Sequence, residues 1–467
     1  MFQAVLWLVS LTSIVFFIHA ILKGRPIDFF ASCVWSLMMV IPFLISEPTF
    51  IASAASVQRL ALLVSSLAVF SGDWLSIQLK KKFHKVSPGK DYRPLDYKLE
   101  CLIFIITIGL WSYHLYLMPE IPLVAKYFSA MNTEAQSVVS RENAAKMLPI
   151  SRIFQYAFHS SLLVLCPILL ASLALRKKWK LAFIYLLISL LYSRAALAKG
   201  PIYILVASLT LLAFTLNFHR INRMIFKRTV LTGVAACLFF IVFIRIHPMS
   251  PFNVKISTTS QLATLHKFKE TDDLSVTYAD YSRLSSFEPE YAQLSALERN
   301  VFFTFYRVLL IPVEVAHRWY SYYPKHTDFL GFSGLTPTSR SDPHFEHPAQ
   351  VIGSWAFRQR FPTLYTSTNH SYASFDADAH ARWGMLGVVI VSVVVFLMLG
   401  VAAYCSDHSI MSQTVYTVYI VVLGVTLPMA SLQAILVAQG IGTLLCVMIL
   451  MKVNRIFLST VIARRSS

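Results

Sequence analysis

Long apolar stretches recur along this chain and constrain its fold more than any other feature. Each holds roughly 17–25 residues, the length that an α-helix needs to cross the hydrocarbon core of a bilayer. The chain of 467 residues is 56% apolar and only 14% charged, whereas soluble domains carry about 25% charged residues. The alternating pattern of a membrane β-barrel is absent. The sequence therefore predicts an all-α polytopic membrane protein.

The apolar stretches predict about eleven transmembrane helices, and the basic residues predict their orientation. The predicted spans are 2–22, 28–46, 57–77, 100–118, 159–175, 181–199, 201–217, 229–246, 384–404, 414–431 and 433–451. Lysine and arginine cluster in alternate connections, and such clusters face the cytoplasm. Five clusters hold 21 of the 41 basic residues, at 23–25, 80–98, 176–180, 220–228 and 452–465. One orientation makes all five cytoplasmic, with the N-terminus outside and the C-terminus inside.

This orientation divides the chain into three parts. The N-terminal part is a bundle of about eight helices with one outer loop, the middle part is a continuous outer block, and the last part is about three helices with a basic cytoplasmic tail. Their boundaries are 1–246, with the loop at 119–158, then 247–383 and 384–467. A polar block of this length that contains apolar and aromatic residues throughout is typical of a folded, functional segment.

Residues 299–319 form one ambiguous segment within the outer block. If they crossed the membrane, the C-terminal basic tail would face outward, so we predict that they do not cross. Arg307, Glu314 and Arg318 fall on one stripe of an otherwise apolar helix. That pattern predicts a helix at the outer interface or tucked between spans, with the charged stripe facing a cavity and Pro312 bending it.

Cations on the outer side indicate an anion-binding site. Between Arg245 and Arg382 the outer block has nine arginines and four lysines, whereas the cytoplasmic connections favour lysine. The planar arginine fork suits bidentate binding of phosphate. For any one arginine, the alternative is an ion pair with a nearby acid or a contact with a lipid head group. Two further cations, Arg194 and Lys199, lie at the outer end of a predicted helical hairpin, where charge is costly and indicates function. The anion-binding candidates are Arg194, Lys199, Arg245, Arg283, Arg299, Arg318 and Arg382.

Residues 368–387, which lead directly into a predicted span, contain a candidate general base. If this segment is helical, one face at i, i+4 spacing holds His370, Ser374, Asp378 and Arg382, and another holds Asp376 and His380. A histidine beside a carboxylate can act as a general base for a sugar hydroxyl. The alternative is a solvated helix start with i, i+4 ion pairs.

The sequence predicts no metal, cofactor or nucleic-acid partner. All six cysteines lie inside or at the ends of apolar runs, so they indicate neither disulfides nor a metal site. His344 and His347 have a spacing that zinc tolerates, but the flanking prolines favour a surface loop. The net charge of +18 could suggest nucleic acid, yet the charges sort by membrane side instead.

Several segments resemble the outer-loop region of O-antigen polymerases, the enzymes that polymerise oligosaccharide repeat units. The resembling segments are Ser193-Arg194, Asn300–Pro312, Trp319–Pro324, Phe329–Ser333, His347–Gly353 and Asn369–Gly387. In that family a similar pattern of an asparagine, an acidic residue, a small residue and Gly-x-x-Gly leads into the next helix, as Asn369, Asp376 and Gly384-x-x-Gly387 do here.

The resemblance implies a GT-C-like integral membrane glycosyltransferase of the bacterial inner membrane, active at the periplasmic face in lipopolysaccharide biosynthesis. It would transfer the growing glycan from undecaprenyl diphosphate onto the incoming lipid-linked repeat unit. The arginines would stabilise the diphosphate, with Arg307 acting in catalysis, and His370 or Asp378 would be the base. Membrane lipids, the lipid-linked oligosaccharide, a chain-length regulator and a flippase are the expected partners.

Two alternatives remain. An O-antigen ligase, or another transferase of lipid-diphosphate sugars, shares this architecture; ligases often have a His-Asn pair where this chain has Asn369-His370, and the helix at 299–319 suits a polymerase better. A transporter or flippase of lipid-linked sugars belongs to another class. Transporters usually carry inverted repeats and discontinuous midplane helices, whereas this sequence shows no repeat and its charges gather at one face.

Overall fold

Helices make up the regular structure throughout the part of the chain that the structure describes. A computed structural model describes residues 2–23, 25, 27–47, 50, 52–83, 95–118, 121, 157–195, 204–212, 310–335, 347–349, 351–353, 355, 373–406 and 409–466. The helices are α1 (Phe2–Leu22), α2 (Phe30–Ser46), α3 (Ala52–Phe83), α4 (Tyr97–Leu117), α5 (Ala157–Leu175), α6 (Trp179–Ala195), α7 (204–212), α8 (Ile311–Tyr322), α9 (Phe375–Cys405), α10 (Ile410–Thr426), α11 (Leu432–Val437) and α12 (Ile441–Ser466).

Five described helices, α1, α3, α4, α5 and α9, are long and apolar enough to cross a membrane, and α2, α6, α10 and α12 contain shorter apolar helices. Large apolar side chains such as Leu8, Ile105 and Leu386 are exposed, whereas Ser10 and Ser65 are buried between helices. Apolar residues outside and small polar residues inside are typical of helices packed in lipid. The predicted class, a helical membrane protein, is therefore confirmed, while the number of eleven spans stays a prediction.

Two of these helices, α2 and α5, widen locally into single π-turns. The wide turns are Ser36–Val40 in α2 and Ser161–Leu165 in α5. Pro42 and Pro167 follow them closely, in the next turn of each helix. Proline has no N–H, and its ring crowds the carbonyl group of the residue four positions earlier. A π-turn accommodates the ring while the helix continues.

Polar contacts tie the first three helices together at both ends. At one end, Lys80 Nζ of α3 lies 3.7 Å from Oδ1 of Asp28, just before α2. At the other end, Arg59 of α3 pairs with Glu47, just after α2. Glu47 also accepts a hydrogen bond of 2.7 Å from Gln3 Nε2 in the first turn of α1. The three helices therefore alternate in direction, as the basic clusters predict.

The main core combines α1–α3 and α8–α12 with one side of α5 and α7, and a smaller core centred on Trp111 and Tyr185 joins α4–α7. Within the main core, α3 and α9 pack side by side, and Ser76 Oγ donates a hydrogen bond of 2.9 Å to the Leu399 carbonyl. The helix α8 packs against both α3 and α9. This packing brings α8 and the beginning of α9 together.

The last predicted span, 433–451, is interrupted. The helix α11 ends at Val437 and α12 begins at Ile441. Between them, Gly440 has φ 75°, a left-handed conformation that residues with side chains rarely adopt. Ser160 Oγ of α5 donates a hydrogen bond of 3.3 Å to the Ala438 carbonyl, which the break exposes. The prediction of one continuous helix is wrong because this break depends on a contact with a helix distant in sequence.

Candidate functional site

The helix α9 is broken near its beginning, at Trp383 and Gly384. Gly384 has φ 62° and ψ −150°, a region essentially restricted to glycine. A Cβ atom on Gly384 would also lie 3.2 Å from the ring of Phe329. The break divides α9 into a short segment, residues 375–382, and a long segment, residues 385–405. The predicted span 384–404 coincides with the long segment, but the helix itself already begins at Phe375.

Gly387 lets the two segments of α9 pack closely. A Cβ atom on Gly387 would lie 2.3 Å from the carbonyl oxygen of Ala379 and 3.1 Å from Cβ of Trp383. Both glycines of the Gly384-x-x-Gly387 motif thus have a structural explanation. The first permits the break, and the second leaves room for the carbonyl group of the short segment.

A loop of residues 328–335 covers the end of the short segment. The N–H of Leu330 donates a hydrogen bond of 2.9 Å to the Ala381 carbonyl, one of the groups that a helix end leaves without an intrahelical partner. From the other direction, Arg382 Nη1 donates a hydrogen bond of 2.8 Å to the Ser333 carbonyl. Backbone and side chain together therefore hold the 328–335 loop against the break.

Asp378 and Arg382 form the i, i+4 pair that the sequence predicts. Arg382 Nε donates a hydrogen bond of 3.0 Å to Asp378 Oδ2. Both residues are buried, with 9% and 6% of their surfaces exposed. The alternative of a solvated helix start is therefore wrong for residues 374–382. Two nitrogens of Arg382 serve protein partners here, and its predicted contact with a diphosphate stays a prediction.

Asp376 is the buried acidic centre of the short segment, and none of its surface is exposed. Its Oδ2 accepts a hydrogen bond of 3.0 Å from the hydroxyl of Tyr320 on α8, and its Oδ1 accepts one from Ser374 Oγ. Burial and the adjacent Asp376 raise the pKa of Tyr320 well above its ordinary value. Tyr320 therefore stays protonated and remains a hydrogen-bond donor, as a buried carboxyl group requires.

His380 lies one helical turn after Asp376 and contacts the same tyrosine. The centroids of the His380 and Tyr320 rings are 4.8 Å apart. On another side, the ring of Phe329 meets His380 edge to face, with centroids 5.7 Å apart. His380 is only 4% exposed, and its Nδ1 is buried without a hydrogen-bond partner in the described part of the chain. We call Tyr320, Ser374, Asp376 and His380 the α8–α9 cluster.

A second buried histidine ties α8 to α3. His317 Nδ1 lies 3.0 Å from Gln58 Oε1, and Gln58 Nε2 donates a hydrogen bond of 3.4 Å to the Val313 carbonyl. The ring of Phe50 stacks on His317 with centroids 4.1 Å apart. Burial, with a smaller effect from Arg318, lowers the pKa of His317 to about 4. His317 is therefore neutral near pH 7 and helps to fix the position of α8.

The structure describes some of the predicted site residues and not others. Those outside the described residues are Lys199, Arg245, Arg283, Arg299, Arg307 and His370. Arg194 lies in the last turn of α6. Arg318 is partly exposed on α8, one turn after Glu314, in agreement with their predicted stripe. Asp378 and Arg382 come together in the short segment of α9, where Asp378 lies two residues from both Asp376 and His380 of the α8–α9 cluster.

Tyr320 and Phe329 were not among the predicted site residues, although both lie in segments that resemble the polymerases. The shared face of Asp376 and His380 was predicted, and the structure shows both in contact with Tyr320. One signal was present in α8, where the polar side chains of His317, Tyr320 and Ser321 share a buried face with Val313 and Ala316. Polar side chains on a buried helical face require buried partners, but the pattern alone does not say which.

Within the described ranges, no three His, Cys, Asp or Glu side chains lie close enough together to hold a metal ion, and His344 is outside those ranges. No protein-family model, no curated protein and no solved structure matches the chain. Its function is therefore inferred from its residues and their contacts.

Proposed function

We propose that this chain is a membrane glycosyltransferase that polymerises undecaprenyl-diphosphate-linked oligosaccharide repeat units. The observation that carries the proposal is the α8–α9 cluster, in which a buried carboxyl group, a tyrosine and a histidine meet at a broken helix of a membrane bundle. Buried ionisable groups in a membrane protein are costly and indicate function. The resemblance of the surrounding segments to O-antigen polymerases then suggests the reaction.

This reaction needs cations for the leaving diphosphate and a base for the acceptor hydroxyl. Arg194, Lys199, Arg307 and Arg318 are the proposed cations, because they belong to the outer side in the predicted orientation. Asp378 or His370 is the base that the sequence suggests. A set of arginines could stabilise the diphosphate without a divalent ion, since each guanidinium group presents a planar fork of donors to phosphate oxygens.

The proposal includes a location and partners. The chain would lie in the bacterial inner membrane with about eleven spans in a GT-C-like arrangement, a periplasmic N-terminus and a cytoplasmic C-terminus. Polymerisation would occur at the periplasmic face, where lipid-linked repeat units arrive after a flippase has moved them across. A separate chain-length regulator is expected from the family resemblance.

The test is polymerisation by the purified protein. The protein in detergent or liposomes is incubated with the undecaprenyl-diphosphate-linked repeat unit of its own strain, without added metal or nucleotide, and the lipid products are separated on a gel. A ladder at multiples of the repeat unit supports the proposal. Unchanged substrate, from protein whose folding is verified by a cooperative thermal transition, contradicts it.

Ligation is the nearest alternative and differs only in the acceptor. If the product is a single transfer onto lipid A core, the chain is a ligase. The break in α9 favours transport as a second candidate function, because discontinuous helices often form substrate sites in transporters. Movement of the intact lipid-linked repeat unit across liposome membranes, without new glycosidic bonds, would identify a transporter.

A further inference from the structure

His380 has an unused hydrogen-bonding atom in an otherwise paired cluster. Asp376 accepts hydrogen bonds from Tyr320 and Ser374, and Asp378 accepts one from Arg382. In contrast, His380 Nδ1 is buried and has no partner among the described residues. A buried polar atom without a partner costs about 1–3 kcal/mol. Such an atom is therefore a candidate contact for a ligand.

Phe329 lies between His380 and the surface. Its ring contacts His380 on one side, and it is nevertheless 44% exposed. Nearby in the same loop, Phe332 is 74% exposed, and its ring centroid lies 5.3 Å from that of Trp383. Aromatic surface beside a few convergent polar groups is typical of small-molecule sites. A ligand that displaces Phe329 would reach His380 next.

We propose that His380 Nδ1 accepts a hydrogen bond from a sugar hydroxyl and is the base of the transfer. The assignment deepens the proposed function and rests on it. His380 takes this role instead of His370, since the aromatic surface formed by Phe329, Phe332 and Trp383 offers the apolar contact that a sugar ring needs. Nδ1 can accept only when the ring proton is on Nε2.

The step balances without another reactant. The hydroxyl oxygen of the acceptor sugar bonds to the anomeric carbon of the donor glycan while the bond from that carbon to the diphosphate oxygen breaks. His380 Nδ1 takes the hydroxyl proton, and undecaprenyl diphosphate leaves with the electron pair of the broken bond. The proton then passes from His380 to the released diphosphate, which restores the neutral imidazole.

The test compares two substitutions at His380 with a matched control. His380→Asn keeps a hydrogen-bond acceptor near the position of Nδ1 but cannot take a proton at neutral pH, whereas His380→Phe loses both properties. His326 is exposed in the segment after α8. His326→Asn therefore shows the effect of the same substitution at a histidine outside the α8–α9 cluster. The readouts are kcat and KM for the lipid-linked repeat unit, and calorimetric binding of the free oligosaccharide of that unit.

We expect His380→Asn to lower kcat about 100-fold or more, the range of general-base catalysis, with KM and oligosaccharide affinity within about threefold of the wild type. His380→Phe should weaken oligosaccharide binding at least about tenfold, and His326→Asn should change neither. Polymerisation by His380→Asn at the wild-type rate would overturn the assignment and leave the proposed function standing. If the wild type binds the oligosaccharide through His380 but forms no polymer, the polymerase function fails while the sugar contact stands.

A measurement that leaves His380 in place covers the case in which a His380 variant does not fold. Diethylpyrocarbonate modifies accessible histidines, and mass spectrometry reads the extent at each position. Because His380 is buried beside Phe329, the reaction is carried out on Phe329→Ala, which opens a path to the His380 ring. Saturating oligosaccharide should slow modification of His380 at least about fivefold and leave His326 unchanged. Equal modification of His380 with and without the oligosaccharide would overturn the proposal.

Discussion

Gly387→Ala tests the geometry on which the α8–α9 cluster depends. The added Cβ would lie 2.3 Å from the Ala379 carbonyl oxygen, whereas non-bonded heavy atoms prefer roughly 3.5–4.0 Å. The clashing atom belongs to the backbone, so it cannot swing aside as the end of a flexible side chain could. One of the two segments of α9 must move by about 1 Å or more. We expect a loss of about 3 kcal/mol, at the upper end of overpacking changes.

Two other glycines provide comparisons, of which Gly109 is the matched control. Gly109 lies within α4, and a Cβ there would meet nothing within 4 Å, so Gly109→Ala should be neutral or should stabilise by up to about 1 kcal/mol through helix propensity. Gly384→Ala should cost about 1–3 kcal/mol because of its backbone conformation.

The assay for these variants is the apparent unfolding temperature in one detergent, measured at one scan rate because unfolding of such proteins is often irreversible. We expect Gly387→Ala to unfold at the lowest temperature and Gly109→Ala at the highest. If Gly387→Ala and Gly109→Ala unfold at the same temperature, the close approach of Ala379 and Gly387 is refuted.

Three further predictions concern single side chains. Tyr320→Phe removes a hydrogen-bond donor to buried Asp376 and should lower the stability by about 1.5–3 kcal/mol. Tyr113→Phe, on the exposed face of α4, is the control and should cause no change. Thermal unfolding measures both variants. Burial lowers the pKa of His317 from 6.5 to about 4 in the folded protein. The free energy of unfolding should therefore be unaffected by this histidine above pH 6.5, and it should fall by about 3 kcal/mol in total as the pH decreases towards 4. His317→Asn should flatten that part of the stability–pH curve, and an unchanged slope would contradict the assignment. Arg307→Ala should abolish polymer formation at wild-type expression levels; a normal ladder would remove its predicted catalytic role.

The helices that could be predicted from the sequence are those whose signal is local. Apolar length predicted α1, α3, α4, α5 and α9, since about twenty consecutive apolar residues have few other uses. The i, i+4 spacing likewise predicted the pair of Asp378 and Arg382. Both features are contained within one stretch of chain, which is why composition and period suffice for them.

Features that depend on distant residues could not be predicted in this way. The break between α11 and α12 involves Ser160 of α5, and the break in α9 involves Phe329. The partner of Asp376 is Tyr320, on another helix and 56 residues away. An unpaired polar residue on a buried face indicates that a partner exists, but only the packing of the two helices identifies it.

The length of the long segment of α9 sets the depth at which the cluster lies. Its 21 residues, 385–405, extend about 31 Å at 1.5 Å per residue, which matches the roughly 30 Å of bilayer hydrocarbon. If this segment alone crosses the lipid tails, Gly384 marks the level where the chain leaves them. The short segment, about 12 Å long, turns back beside the long segment, because Ala379 lies against Gly387 and Phe375 packs on Trp35 within α2. The α8–α9 cluster therefore lies beneath the level of Gly384, and under the proposed function an anchored substrate would meet His380 without leaving the bilayer.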